Sequence, residues 1–152
     1  MCPVSKMNTK SRQTRKYAYN FTIMYNSTKV NGKQLSKSQT ASEPLISFKP
    51  KKGKLYTIIM YDLHSPKPAY LHYMAINITD ASNAHAFVPY QPPSPPLKDA
   101  HYHVYMFELY EQPEFLTVYP PASRSGFDPR AFTERHALRR VAQKGFYVCV
   151  QL

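Results

Sequence analysis

A chain of 152 residues, 43% of them apolar, is long enough to close one domain around a single core and too apolar to stay disordered. Two cysteines, one at the extreme N-terminus and one in a C-terminal apolar run, exclude a disulfide framework and a cysteine zinc site and point to a reduced, cytoplasmic compartment. The formal charge of +11 is uneven, because residues 1–54 hold 12 of the 20 Lys and Arg against one acid, Glu43, while residues 55–152 balance 8 against 8. Such a basic third is either a solvated tail and hairpin or an electrostatic handle for anionic lipid head groups or nucleic acid.

In chain order, residues 1–16 carry five positive charges and no acid and predict a disordered basic arm. "YNFTIMY" (19–25) reads as a strand, and Asn31-Gly32 in the segment after it is a strong turn signal. "EPLISF" (43–48) is a short strand. "KPKKGK" (49–54) is a basic turn whose Lys49, Lys51, Lys52 and Lys54 form the folded part of the electrostatic patch. "LYTIIMY" (55–61) and "LHYMAINI" (71–78) are apolar on both faces, the mark of central strands covered on both sides. Residues 80–100 are irregular and proline-rich, 101–112 form another strand, and 113–126 a loop. "DPRAFTERHALRR" (128–140) predicts the one helix, with Asp128 as its cap and Pro129 in its first turn, and 145–151 a closing strand.

Strand alternation places Tyr56, Ile58, Met60 and Asp62 on one face. It places His72, Met74, Ile76 and Ile78 on one face, and His101, His103, Tyr105, Phe107 and Leu109 on another. If these strands are neighbours, Asp62, His72, His103 and Tyr105 meet at one rim, walled by the prolines of 63–69 and 89–96. Ser65 beside His64 and Asp62 invites a hydrolase reading, but Pro66 follows it directly and four glycines in the whole chain supply no oxyanion loop. His101, His103, His72 and Asp62 are donors enough for zinc, yet alternating histidines at a strand end are ordinary residues of a solvated edge. The set suits a small-anion pocket better. His and Tyr offer directed hydrogen bonds to a phosphate or carboxylate, and proline rings give shape and exclude water.

Three ordered stretches resemble the signatures of the phosphatidylethanolamine-binding protein (PEBP) family: "YTIIMYDLHSP" followed by "YLHYMAIN", "YQPPSPP" with "HVYMFELYEQ", and "FDPRAFTERHALRRVAQKGFYVCVQ". A weaker match at "IMYNSTKVNGKQL" keeps the same order. The resemblance implies a PEBP-like fold, mainly β, with a large central antiparallel sheet, a smaller second sheet and a few short helices, spanning residues 17–152 as one domain. It also implies a conserved anion pocket, to which Asp62, Pro66, Tyr70, His72, Pro93, Pro96, His103 and Tyr105 correspond. His64 stands where the family's pattern has a second acid, which removes a repulsion and predicts stronger anion binding at mildly acidic pH. Val104 stands in place of the usual Arg. The chain resembles a compact, diverged member, of the kind carried by some large DNA viruses.

The expectation is therefore a monomeric, non-enzymatic regulator with no cofactor and no metal. Its pocket would hold a phospholipid head group or a small phosphorylated ligand, and it would act on a kinase- or protease-like protein partner. The other reading is binding of nucleic acid or an anionic membrane through the basic N-terminal third, which a steep salt dependence would reveal.

Overall fold

A computed structural model describes residues 19–65, 68–80, 85–96 and 101–150. The expected arm at 1–16 lies outside the described residues. The large sheet has the order β6-β5-β4-β7-β9, formed by Ala86–Val88, Ala69–Ile78, Leu55–Asp62, Tyr102–Gln112 and Arg139–Cys149. A short β8, Ser125–Phe127, pairs with the start of β5. The small sheet has the order β2-β1-β3, formed by Thr28–Lys29, Thr22–Tyr25 and Leu45–Ser47. Every pairing between these strands is antiparallel. The one helix among the described residues is α1, Pro129–Arg135. None there is long and apolar enough to cross a membrane.

β4 is the centre of the large sheet because it is apolar on both sides. Tyr56, Ile58 and Met60 face one cluster with Phe107, Leu109 and Phe146, and the small sheet covers it with Phe21, Ile23 and Tyr25. Ile59 faces the opposite cluster with Leu71, Met74 and Tyr110, against which Phe132 of α1 packs. Ile58, Ile59 and Met60 are essentially sealed. Each contributes roughly 1.5–3 kcal/mol of burial.

Three local expectations change. The β1–β2 hairpin turns at Asn26-Ser27, with Asn26 at φ 53, and not at Asn31-Gly32. That second pair bends the chain onto the free edge of β9, where Gly32 N–H donates to Gly145 O at 2.8 Å and Leu35 N–H to Tyr147 O at 2.9 Å. The helix stops at Arg135 because Ala137 adopts φ 52, a left-handed conformation that no α-helix continues through. Arg139 and Arg140 therefore open β9 and do not close a helix. Their side chains reach the buried acids of β7, Arg139 to Glu111 and Arg140 to Glu108 at 2.7 Å. Finally, Cys149 is disulfide-bonded, and no described cysteine is a free thiol. The cysteines thus carry no argument for a reduced compartment.

Candidate functional site

The site forms where β4 ends, β5 begins and β7 begins. Asp62, the last residue of β4, pairs across to Tyr70 on one side and Tyr105 on the other. Its carboxylate is buried and accepts two bonds: His103 Nδ1 lies 2.6 Å from Oδ2, and the His64 N–H donates to Oδ1 at 2.8 Å. One acid thus fixes the β7 histidine and the turn after β4. Leu63 N–H donates to Val104 O at 2.9 Å and extends that tie.

His72 reaches the same face by a route that alternation does not anticipate. Met60 pairs with Tyr73 and Tyr61 with Leu71, so β5 carries one residue more than β4 between these rungs, and that residue is His72. Leu71 and Met74 face the helix-side cluster while Tyr73 and Ala75 face the other. A second shift follows at Ile76–Asn77, with Asn77 at φ 56. The expected common face of His72, Met74, Ile76 and Ile78 is therefore broken twice. The bulge turns His72 away from Met74 and toward Tyr105, whose ring centroid is 5.2 Å away, and Tyr70, at 5.0 Å. Bulges of this kind re-aim single side chains beside functional sites.

A bulge leaves backbone carbonyls without strand partners, and here Arg124 takes them up. Its guanidinium donates to Leu71 O at 3.2 Å, His72 O at 3.0 Å and Pro89 O at 2.6 Å. Leu71 N–H donates back to Arg124 O at 2.9 Å. Arg124 thereby joins β5 to the proline segment, and Gln91 N–H closes the same junction on His72 O at 2.9 Å. The sequence reading passed over Arg124 because a lone arginine in a loop carries no local signal.

Hydrogen bonding fixes the proton on each ring. His72 Nδ1 lies 2.6 Å from the Gln91 carbonyl oxygen, which has no proton to give, so Nδ1 is the donor. Burial lowers the pKa of His72, outweighing the Gln91 carbonyl and Asp62, which raise it, and favours the neutral ring. Nε2 then carries a lone pair. It has no hydrogen-bond partner among the described residues, where no buried side-chain nitrogen or oxygen lacks one, so solvent reaches it. Tyr105 is the opposite case: burial, then the charge of Asp62, pushes its hydroxyl far above the usual tyrosine range and keeps it a donor. Tyr70 donates to Gln91 Oε1 at 3.0 Å.

His64 is exposed, and its Nδ1 accepts the Val104 N–H at 3.0 Å. The neutral ring therefore holds its proton on Nε2. Charging it would set a second N–H against that of Val104, so the acid-strengthened binding expected of His64 carries the loss of this bond. Pro93 is buried but Pro96 is exposed, and Pro95 is the second proline turned inward. Pro66 lies outside the described residues. His101 is exposed and precedes β7, and no group of three or more potential metal ligands is gathered among the described residues. The lysines of 49–54 precede β4 and lie at its other end.

The profile of the PBP family, phosphatidylethanolamine-binding protein, matches residues 20–147. Protein MOTHER of FT and TFL1 homolog 2 of Oryza sativa subsp. japonica is 34% identical over 120 residues, 71% of this chain and 67% of the rice protein. Protein FLOWERING LOCUS T of Arabidopsis thaliana is 31% identical over 129 residues, 78% of this chain and 72% of the plant protein. Both are plant proteins and neither supports a viral placement. Among solved structures, the carboxypeptidase Y inhibitor, crystallised with its cognate proteinase, superposes with a TM-score of 0.76 at 20% identity over 86% of this chain and 83% of its own. The family profile spans most of the chain and the fold superposes on a solved structure: the chain belongs to the phosphatidylethanolamine-binding protein family.

Proposed function

We propose that this protein is a non-enzymatic regulator that binds one phosphate-bearing group at the rim of β4, β5 and β7 and acts by docking to a protein partner. The observation that carries the ligand class is the 2.6 Å contact from His72 Nδ1 to Gln91 O. It turns Nε2 into an acceptor beside a hydroxyl, Tyr105, that stays a donor. A fully ionised phosphate would meet a lone pair at His72. A group that offers both an acceptor and a proton fits, such as a phosphomonoester retaining one proton, whose second pKa is about 6, or a phosphate beside an ammonium. The expectation that His72 donates to the anion is replaced by one in which it accepts.

Support for a binding role comes from the histidines themselves. His64 Nδ1 accepts the Val104 N–H, so its Nε2 carries the proton and the histidine beside Ser65 in the turn is not a base for it. Support for docking comes from the likeness to the carboxypeptidase Y inhibitor, which was crystallised with its cognate proteinase.

Titration calorimetry with phosphoethanolamine and with phosphocholine tests the ligand reading. The two share a phosphate, and the second lacks the N–H donors. Tighter binding of phosphoethanolamine, weakened in Tyr105→Phe and in His72→Ala, is the expected result. A parent protein that binds neither compound removes the reading.

A further inference from the structure

We propose that the Lys49–Lys54 turn and the start of β4 form a second anion site, which takes a small group carrying two or more phosphates, borne on a lipid or free. A cleft of about 390 Å³ opens here, lined by Lys51, Lys52, Gly53, Lys54, Leu55 and Thr79 among others, and no acid lines it among the described residues. It lies at the start of an eight-residue strand that ends at Asp62. At about 3.3 Å per residue the two sites are on the order of 20 Å apart.

The turn is held in shape while its charges are left open. Lys49 N–H donates to Tyr19 O at 2.6 Å, and Lys54 N–H to Lys51 O at 3.2 Å. Lys51 N–H donates to the hydroxyl of buried Tyr56 at 2.8 Å. Lys51 Nζ stands 5.2 Å above the Tyr19 ring. Gly53 closes the turn at φ +79, and a Cβ there would meet nothing within 4 Å, so the glycine serves the backbone and not the packing. None of the four ammonium groups makes an ion pair with a described residue. The acid facing this end of β4, Glu111, feels the charge of Lys54, but its oxygens are bonded to the Tyr19 hydroxyl and to Arg139. Asp80, next to Thr79, already has a partner.

Ammonium groups that line one cleft repel each other, and an anion between them relieves that repulsion. A monoanion would relieve little of this, and a group with several phosphates much more. The shape favours such a group over a nucleic acid strand. A strand needs an extended basic track and open aromatic faces for its bases, whereas this cleft is small and its ring, Tyr19, is buried.

Titration of the whole protein at physiological ionic strength, with inositol hexakisphosphate as the free probe and phosphatidylinositol-bisphosphate vesicles as the lipid probe, tests the site and distinguishes the source. Binding of at least one probe is expected. The triple variant Lys51→Gln, Lys52→Gln, Lys54→Gln should weaken it about ten- to a hundredfold. The charge-matched triple Lys29→Gln, Lys33→Gln, Lys37→Gln should stay within about twofold of the parent. Equal loss in both lysine triples makes the effect one of bulk charge and overturns the proposal. So does a parent that binds neither probe, or one that binds a single-stranded oligonucleotide more tightly with the same lysine dependence.

Discussion

His103 Nδ1 lies 2.6 Å from Asp62 Oδ2, and both side chains are nearly sealed from solvent. The carboxylate's second oxygen holds the His64 amide. Asp62→Asn keeps the shape but replaces one acceptor with an NH2 group, so either His103 or the His64 amide faces a donor. A buried donor left unmatched costs about 1–3 kcal/mol. The variant is expected to unfold at a correspondingly lower temperature, and an unchanged midpoint would show that the pair adds nothing to stability.

Arg124 spans the bulge and the proline segment with three donated bonds. Arg124→Lys keeps the charge but cannot reach three carbonyls in a fixed fork. We expect a loss of about 1–3 kcal/mol in denaturant unfolding and faster exchange of the Leu71 and Gln91 amides, which flank the same junction. Wild-type exchange at both amides would mean that the bulge holds its shape without the guanidinium.

Much of this frame was readable from residues, and the unread parts share a cause. The runs at 55–61 and 71–78 are apolar on both faces, and central strands are the only β elements that bury both. Asp62 could be placed at the site because β4 keeps strict alternation up to it. His72 could not be placed on its true face, since a period of two assumes an unbroken register and β5 is bulged twice. Nothing local marks the first bulge, which needs Arg124, some fifty residues away, to satisfy its carbonyls. β9 was misread in its first half for a related reason. Arg139 and Arg140 suit a helix C-terminus by local rules, and only the buried Glu111 and Glu108 of β7 make them strand residues.

His64 presents Nε2–H while Nδ1 accepts from Val104. His64→Asn can keep that acceptor and adds no charge, so its affinity for phosphoethanolamine should stay within about threefold of the parent. His64→Asp adds a negative charge beside the phosphate and should weaken binding by about tenfold, a penalty of roughly 1.4 kcal/mol. Calorimetry on the three proteins at one pH decides it. Equal affinity of His64→Asp and the parent would place His64 outside the site.

The neutral state of His72 should be visible in stability as well as binding. Burial lowers its folded pKa, against the opposing pull of the Gln91 carbonyl and Asp62, while Arg124 and His103 add to the lowering. In the unfolded chain the ring titrates near 6.5. Above that pH both states are neutral and stability is at its full value. As pH falls below about 6.5 the unfolded chain takes up a proton that the folded chain refuses. Stability then declines, by at most about 1.4 kcal/mol per pH unit from this residue, and levels off once the folded pKa is passed. Other groups titrate in the same range, so the readout is a difference between two proteins. His72→Asn places an amide N–H where Nδ1–H donates to Gln91 and removes the titration. Its urea unfolding free energy, followed from about pH 7 to pH 5, should fall less steeply than the parent's. Parallel slopes would show that His72 takes up its proton as readily in the folded protein as in the unfolded chain, and that the acceptor role given to its Nε2 is wrong.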